Sequence, residues 1–126
     1  MKNISMIAAV FGLLSVLLGA FAAHGLKDIL SEYSRSIWQT AVQYQMFHTL
    51  ALLYLANLEN SFNRRLAKIT AYCFIIGTIL FSGSLYLLAL TGFKILGVIT
   101  PIGGIAFVIG WIALVVISVA DDSVGS

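Results

Sequence analysis

Long apolar stretches alternate with short polar ones along the whole chain. The first runs from about Ile4 to Ala23, the second from Trp38 to Leu58, the third from Ile69 to Leu90 and the fourth from Ile95 to Ala120. A helix needs about 20 apolar residues to cross a hydrocarbon core about 30 Å thick, and each stretch is close to that length. Membrane β-strands would instead alternate in character over about 10 residues. These runs are continuous, and a single strand in lipid would leave its backbone groups unpaired, so helices are predicted. The pattern gives an all-α fold in a single membrane domain, residues 1–126: an integral membrane bundle of four transmembrane helices.

The connections are short. Thr91 to Lys94 makes a tight hairpin, and the polar stretch from Glu59 to Lys68 joins the second and third helices. Between the first two helices, Leu26, Ile29, Leu30, Tyr33 and Ile37 recur at helical spacing, with Lys27, Asp28, Glu32 and Arg35 between them. That predicts an amphipathic interfacial segment, or the first turns of a long second helix capped by Ser31. Trp38 then lies at headgroup level. The first stretch imitates a secretory signal peptide, with Lys2, an apolar run and Ala20, Ala22 and Ala23. It is long enough to span and is read as a retained helix.

Composition sharpens this picture. Of 126 residues, 60% are hydrophobic and 10% charged, where soluble domains carry about 25% charged residues. The single cysteine, Cys73, excludes an internal disulfide. A net charge of +2 without a basic cluster gives no reason to expect nucleic acid. Lys2, Arg64, Arg65 and Lys68 fall on one side of the membrane and Lys27, Arg35 and Lys94 on the other. The excess predicts both termini in the cytoplasm.

Small residues mark the expected helix contacts, because close approach is what holds helices together in lipid. They are Ala8, Gly12, Ser15, Gly19 and Ala23 on the first helix, Cys73, Gly77, Gly83 and Ser84 on the third, and Gly97, Gly103, Gly104, Ala106 and Gly110 on the fourth. Pro101 removes a backbone donor and should kink the last helix.

Candidate chemistry concentrates in the second helix. Ala41, Tyr44, Gln45, His48 and Thr49 share one face, which should turn inward because polar groups in lipid are costly. His48, about 15 Å beyond Trp38, is near mid-membrane, and an intramembrane ionisable residue is a functional candidate. A neutral His48 that only glues the bundle is the plain alternative. His24 ends the first helix, where the helix dipole alone explains a histidine. Ser82, Ser84 and Thr100 complete the polar candidates. No acid lies inside any span to complete a catalytic or metal site, so no enzyme, metal or cofactor is expected.

The segments Gly19-Ala-Phe-Ala-Ala-His-Gly-Leu26, Trp38-Gln-Thr-Ala-Val-Gln-Tyr-Gln-Met-Phe-His48, Leu80-Phe-Ser-Gly-Ser-Leu-Tyr86 and Ile99-Thr-Pro-Ile-Gly-Gly104 resemble, in this order, the bacterial domain-of-unknown-function family 423. One departure is Ala22, where that family usually has Gly. The resemblance implies a small four-helix inner-membrane protein and assigns no activity. The sequence therefore supports a non-enzymatic protein that binds a lipid-like or small apolar ligand, or an accessory subunit. Alternatives are a metal or haem protein using His24 and His48, and an oligomeric proton-coupled transporter or channel subunit. Membrane lipids, further copies of the chain or a larger membrane complex are the expected partners.

Overall fold

A computed structural model describes residues 2–58 and 64–125, with side chains up to Ala120. It contains α1 (Lys2–His24), α2 (Glu32–Ala56), α3 (Arg64–Thr91) and α4 (Leu96–Gly125). The first part of the Glu59–Lys68 connection, and the side chains of Asp121 and Asp122 that close the fourth apolar run, lie outside the described residues.

Each boundary has a local cause. After α1, the Gly25 and Leu26 amides both turn back to the Phe21 carbonyl, at 2.7 and 3.1 Å. Turns follow to Leu30, and Ser31 then caps α2, its hydroxyl accepting from the Ser34 amide at 3.1 Å. The charged stretch thus becomes a turn plus the capped first turns of α2. Leu26 is buried against Trp38 and Ala22, whereas Ile29 and Tyr33 face outward. At the other hairpin, Gly92 adopts φ +74°, and its amide closes on the Leu88 carbonyl at 2.8 Å. Left-handed backbone just past a helix end is where glycine avoids a Cβ clash.

The helices pack antiparallel in chain order, α1 on α2, α2 on α3 and α3 on α4. α2 and α4 both lean on α3 and splay apart from each other. α1, α3 and residues 96–120 of α4 are long and apolar enough to cross a membrane. α2 is more polar, with Glu32, Arg35, several glutamines and His48. It runs lengthwise between α1 and α3, so it crosses the slab that they cross. Burial is inverted relative to a soluble protein. Ser15, Gln45, His48, Thr49, Thr70, Thr78, Ser82 and Ser84 are buried, while Leu13, Val16, Ile76, Leu87, Ile105, Val116 and many like them are exposed. Such a surface suits lipid, and the buried polar groups suit a bundle interior.

Glycine and phenylalanine mesh α3 with α4. A Cβ on Gly77 would lie 2.5 Å from the Phe107 ring, one on Gly110 2.5 Å from the Phe74 ring, and one on Gly103 would strike the Phe81 backbone. Gly12 and Gly19 meet Thr49 and Val42 of α2 at ordinary contact, 3.4 Å. Three expected contacts are corrected. A Cβ on Gly83 or Gly97 would meet no neighbour within 4 Å, so neither marks a tight helix contact, and Ala23 is exposed. Small-residue spacing gives a stripe on each helix, and the crossing geometry uses only part of it.

Candidate functional site

The polar face of α2 divides. Gln45, 3% exposed, turns toward α1 and α3. Its amide donates to the Phe11 carbonyl at 2.9 Å and its carbonyl accepts from the Tyr86 hydroxyl at 2.7 Å. Ser82 donates to the Ala41 carbonyl at 2.7 Å, and Trp38 donates to the Leu18 carbonyl at 2.9 Å. These bonds lock α1, α2 and α3 together. Ser84 and Thr100 share a separate bond at 2.6 Å that bridges α3 and α4.

His48 turns the other way, toward α4. Its Nδ1 lies 2.7 Å from the Tyr44 carbonyl, and the Trp111 indole donates to Nε2 at 3.0 Å. A carbonyl can only accept and an indole N–H can only donate. The network therefore assigns a neutral ring with its proton on Nδ1. The ring stacks on Phe107 at 3.6 Å and 9°, with Phe74 edge-on at 5.2 Å and Phe47 edge-on at 5.4 Å. Such aromatic pairs add about 0.5–1.5 kcal/mol beyond area burial.

Beside this cluster, the splay of α2 from α4 leaves a cleft of about 760 Å³. Tyr44, His48, Phe81, Gly104, Phe107 and Trp111 form much of its wall, and no charged residue lines it. Ligand sites commonly measure about 300–1,000 Å³ and are mostly apolar with a few polar groups. Of the polar residues singled out in the sequence, Tyr44 and His48 reach the cleft. Gln45 and Ser82 hold the opposite seam, Ser84 and Thr100 a third place, and Gly104 lines the cleft wall instead of a tight helix contact.

His24 is a correction. It is exposed at the end of α1, twelve residues beyond Gly12, which faces Thr49 beside His48. At 1.5 Å per residue that is about 18 Å, so the two histidines share no site. Both nitrogens of His48 are already bonded, and a metal on Nε2 would have to displace Trp111. Among the described residues no three His, Cys, Asp or Glu side chains gather. A proton path past His48 would have to cross the rings of Phe47, Phe74 and Phe107.

The aromatic frame lies outside the polar pattern that marks α2 in the sequence. Phe107 and Trp111 stand one turn apart on α4, and Phe74 and Phe81 two turns apart on α3. Those spacings place each pair on one face and were available as a signal.

Residues 18–104 match a family described as protein of unknown function (DUF423). A UPF0382 membrane protein of Staphylococcus epidermidis is 44% identical over 116 residues, covering 92% of this chain and 94% of the relative. The UPF0382 membrane protein YwdK of Bacillus subtilis is 44% identical over 120 residues, covering 94% and 98%. A UPF0382 membrane protein of Haemophilus influenzae is 46% identical over 108 residues, covering 86% of each. No solved structure matches.

Proposed function

The chain belongs to the DUF423 family and is a multi-pass membrane protein, and from that premise we propose that it binds a lipid-like molecule in the cleft between α2 and α4. The observation that carries this reading is an uncharged, aromatic-walled cleft of ligand size, open between two helices whose outer faces are apolar. A molecule already dissolved in the bilayer can enter such a cleft sideways. His48 serves as a fixed part of the wall, since Trp111 and the Tyr44 carbonyl occupy its nitrogens.

The same reading places the protein in the cell inner membrane with both termini in the cytoplasm, supported by Lys2, Arg64, Arg65 and Lys68 on one side against Lys27, Arg35 and Lys94 on the other. Labelling of single cysteines from either side tests that orientation.

The cleft is tested by native mass spectrometry of the full chain beside Gly104→Leu. A Cβ at Gly104 meets just one atom, Phe81 Cδ2 at 3.9 Å, so leucine fills the cleft without a clash. A lipid-mass adduct on the wild type, lost in a variant that melts at the same temperature, is the expected result. Bare masses for both would sink the reading.

A further inference from the structure

The polar groups of the cleft gather at one end. Gln43 and Tyr44 on α2 stand level with Pro101 and Gly104 on α4, because His48 is level with Phe107 and Trp111 and the two helices run parallel. Gln43 is exposed, and neither its amide nor the Tyr44 hydroxyl bonds to another described group. This end of the cleft therefore offers an amide and a hydroxyl, inside a span where water does not satisfy them.

The other end is apolar and forks. Two smaller hollows, of about 310 and 300 Å³, both begin at Trp111 and Leu114. One runs along α4 past Val115 and Ser118, the other between α2 and α4 past Phe47 and Tyr54. From Pro101 to Trp111 is ten residues, about 15 Å. None of the residues lining the three hollows is charged. On α2 the nearest cation is Arg35, eight residues before Gln43 and so about 12 Å away, and on the α4 side it is Lys94, seven residues before Pro101 and so about 10 Å away.

Resting on the lipid-binding reading above, we infer that the occupant is a neutral two-chain lipid with a free hydroxyl, a diacylglycerol, its head at Gln43 and Tyr44 and its two chains parting at Trp111. The hydroxyl donates to the Gln43 side-chain carbonyl, and an ester carbonyl accepts from the Gln43 amide N–H or the Tyr44 hydroxyl. A phosphate at Gln43 and Tyr44 would lie within the apolar run of α2, about 12 Å along that helix from Arg35, and about 10 Å separates Pro101 from Lys94 on the α4 side. A single chain would leave one branch of the fork empty.

Trp111 at the fork is a built-in reporter, since bromine on a lipid chain quenches tryptophan on contact. The full chain is placed in phosphatidylcholine nanodiscs, and dibrominated diacylglycerol, phosphatidylcholine and a single-chain fatty alcohol are added in turn. Trp111→Phe identifies the part of the signal due to Trp111. Expected is saturable quenching by the diacylglycerol at about tenfold lower mole fraction than by brominated phosphatidylcholine, the size of effect one hydrogen bond gives. Gln43→Leu should erase that preference and leave the weaker phosphatidylcholine quenching intact. Equal quenching by both two-chain lipids, unmoved by Gln43→Leu, would overturn the head assignment while the lipid cleft stands. A fatty alcohol as effective as the diacylglycerol would overturn the two-chain assignment. No saturable quenching by any probe, in a wild type that Gly104→Leu leaves unchanged, would remove the lipid-binding reading itself.

Discussion

The two sides of α2 are built differently. Toward α1 and α3, Gln45, Ser82, Trp38 and Tyr86 are bonded across helices, and small residues let backbones approach. Toward α4, a single cross-helix hydrogen bond, Trp111 to His48, spans the seam among the described residues, with stacked rings and a cleft beside it. Lipid offers little hydrophobic drive for helices to close on each other. A seam with few polar bonds and bulky rings stays open, and a seam with several bonds and small residues closes. One helix thus serves as a fixed wall on one side and as half of an open cleft on the other.

Substitutions at each seam test the contrast, and the largest effect is expected where α3 meets α4. Gly103→Leu drives a side chain into the Phe81 backbone and should cost about 3 kcal/mol, because overpacking that cannot relax is destabilising. Unfolding in detergent micelles measures it. A cost below about 1 kcal/mol would show that α4 shifts freely, and α3 would no longer be the fixed support for the cleft.

Next comes the closed seam. Gln45→Leu leaves the Tyr86 hydroxyl without its partner and should cost about 1–2 kcal/mol. Tyr86→Phe should cost less, and the double variant should cost less than the sum, since the two share one bond. Strict additivity would mean the bond contributes nothing.

The open seam should respond more weakly. His48→Phe keeps the ring stack on Phe107 but orphans the Trp111 indole. About 1 kcal/mol is expected, with a shift in tryptophan emission as the indole N–H loses its partner. A loss as large as that of Gln45→Leu, or larger, would erase the distinction between the seams.

The smallest effect is expected at Gly83. Alanine there meets no atom and should raise stability by about 0.5 kcal/mol through helix propensity alone. A clear loss would place an unseen neighbour on that face.

Individual residues show how much of this was legible in the chain. The apolar runs gave the helices, because period and length leave lipid-spanning segments few alternatives. Tyr44, Gln45 and His48 were legible as one polar face, yet Gln45 and His48 turned to opposite neighbours. Helical spacing fixes angle on one helix and says nothing of which helix stands there. Gly83 and Gly103 look alike in sequence, and one is open while the other touches backbone.

By itself, then, the sequence determined that this is a helical membrane protein with short connections, a polar face at mid-span and no charged side chain within any apolar run. Those follow from local properties: length, hydrophobic period, and the cost of charge in hydrocarbon. Tertiary structure decided the rest. It showed that the more polar α2 runs in the same slab as its apolar neighbours, that His48 is tied to Trp111 and lies far from His24, and that α2 and α4 stand apart over a forked cleft. Those depend on which ring meets which glycine across a helix crossing, a property of pairs distant in sequence that no local pattern encodes.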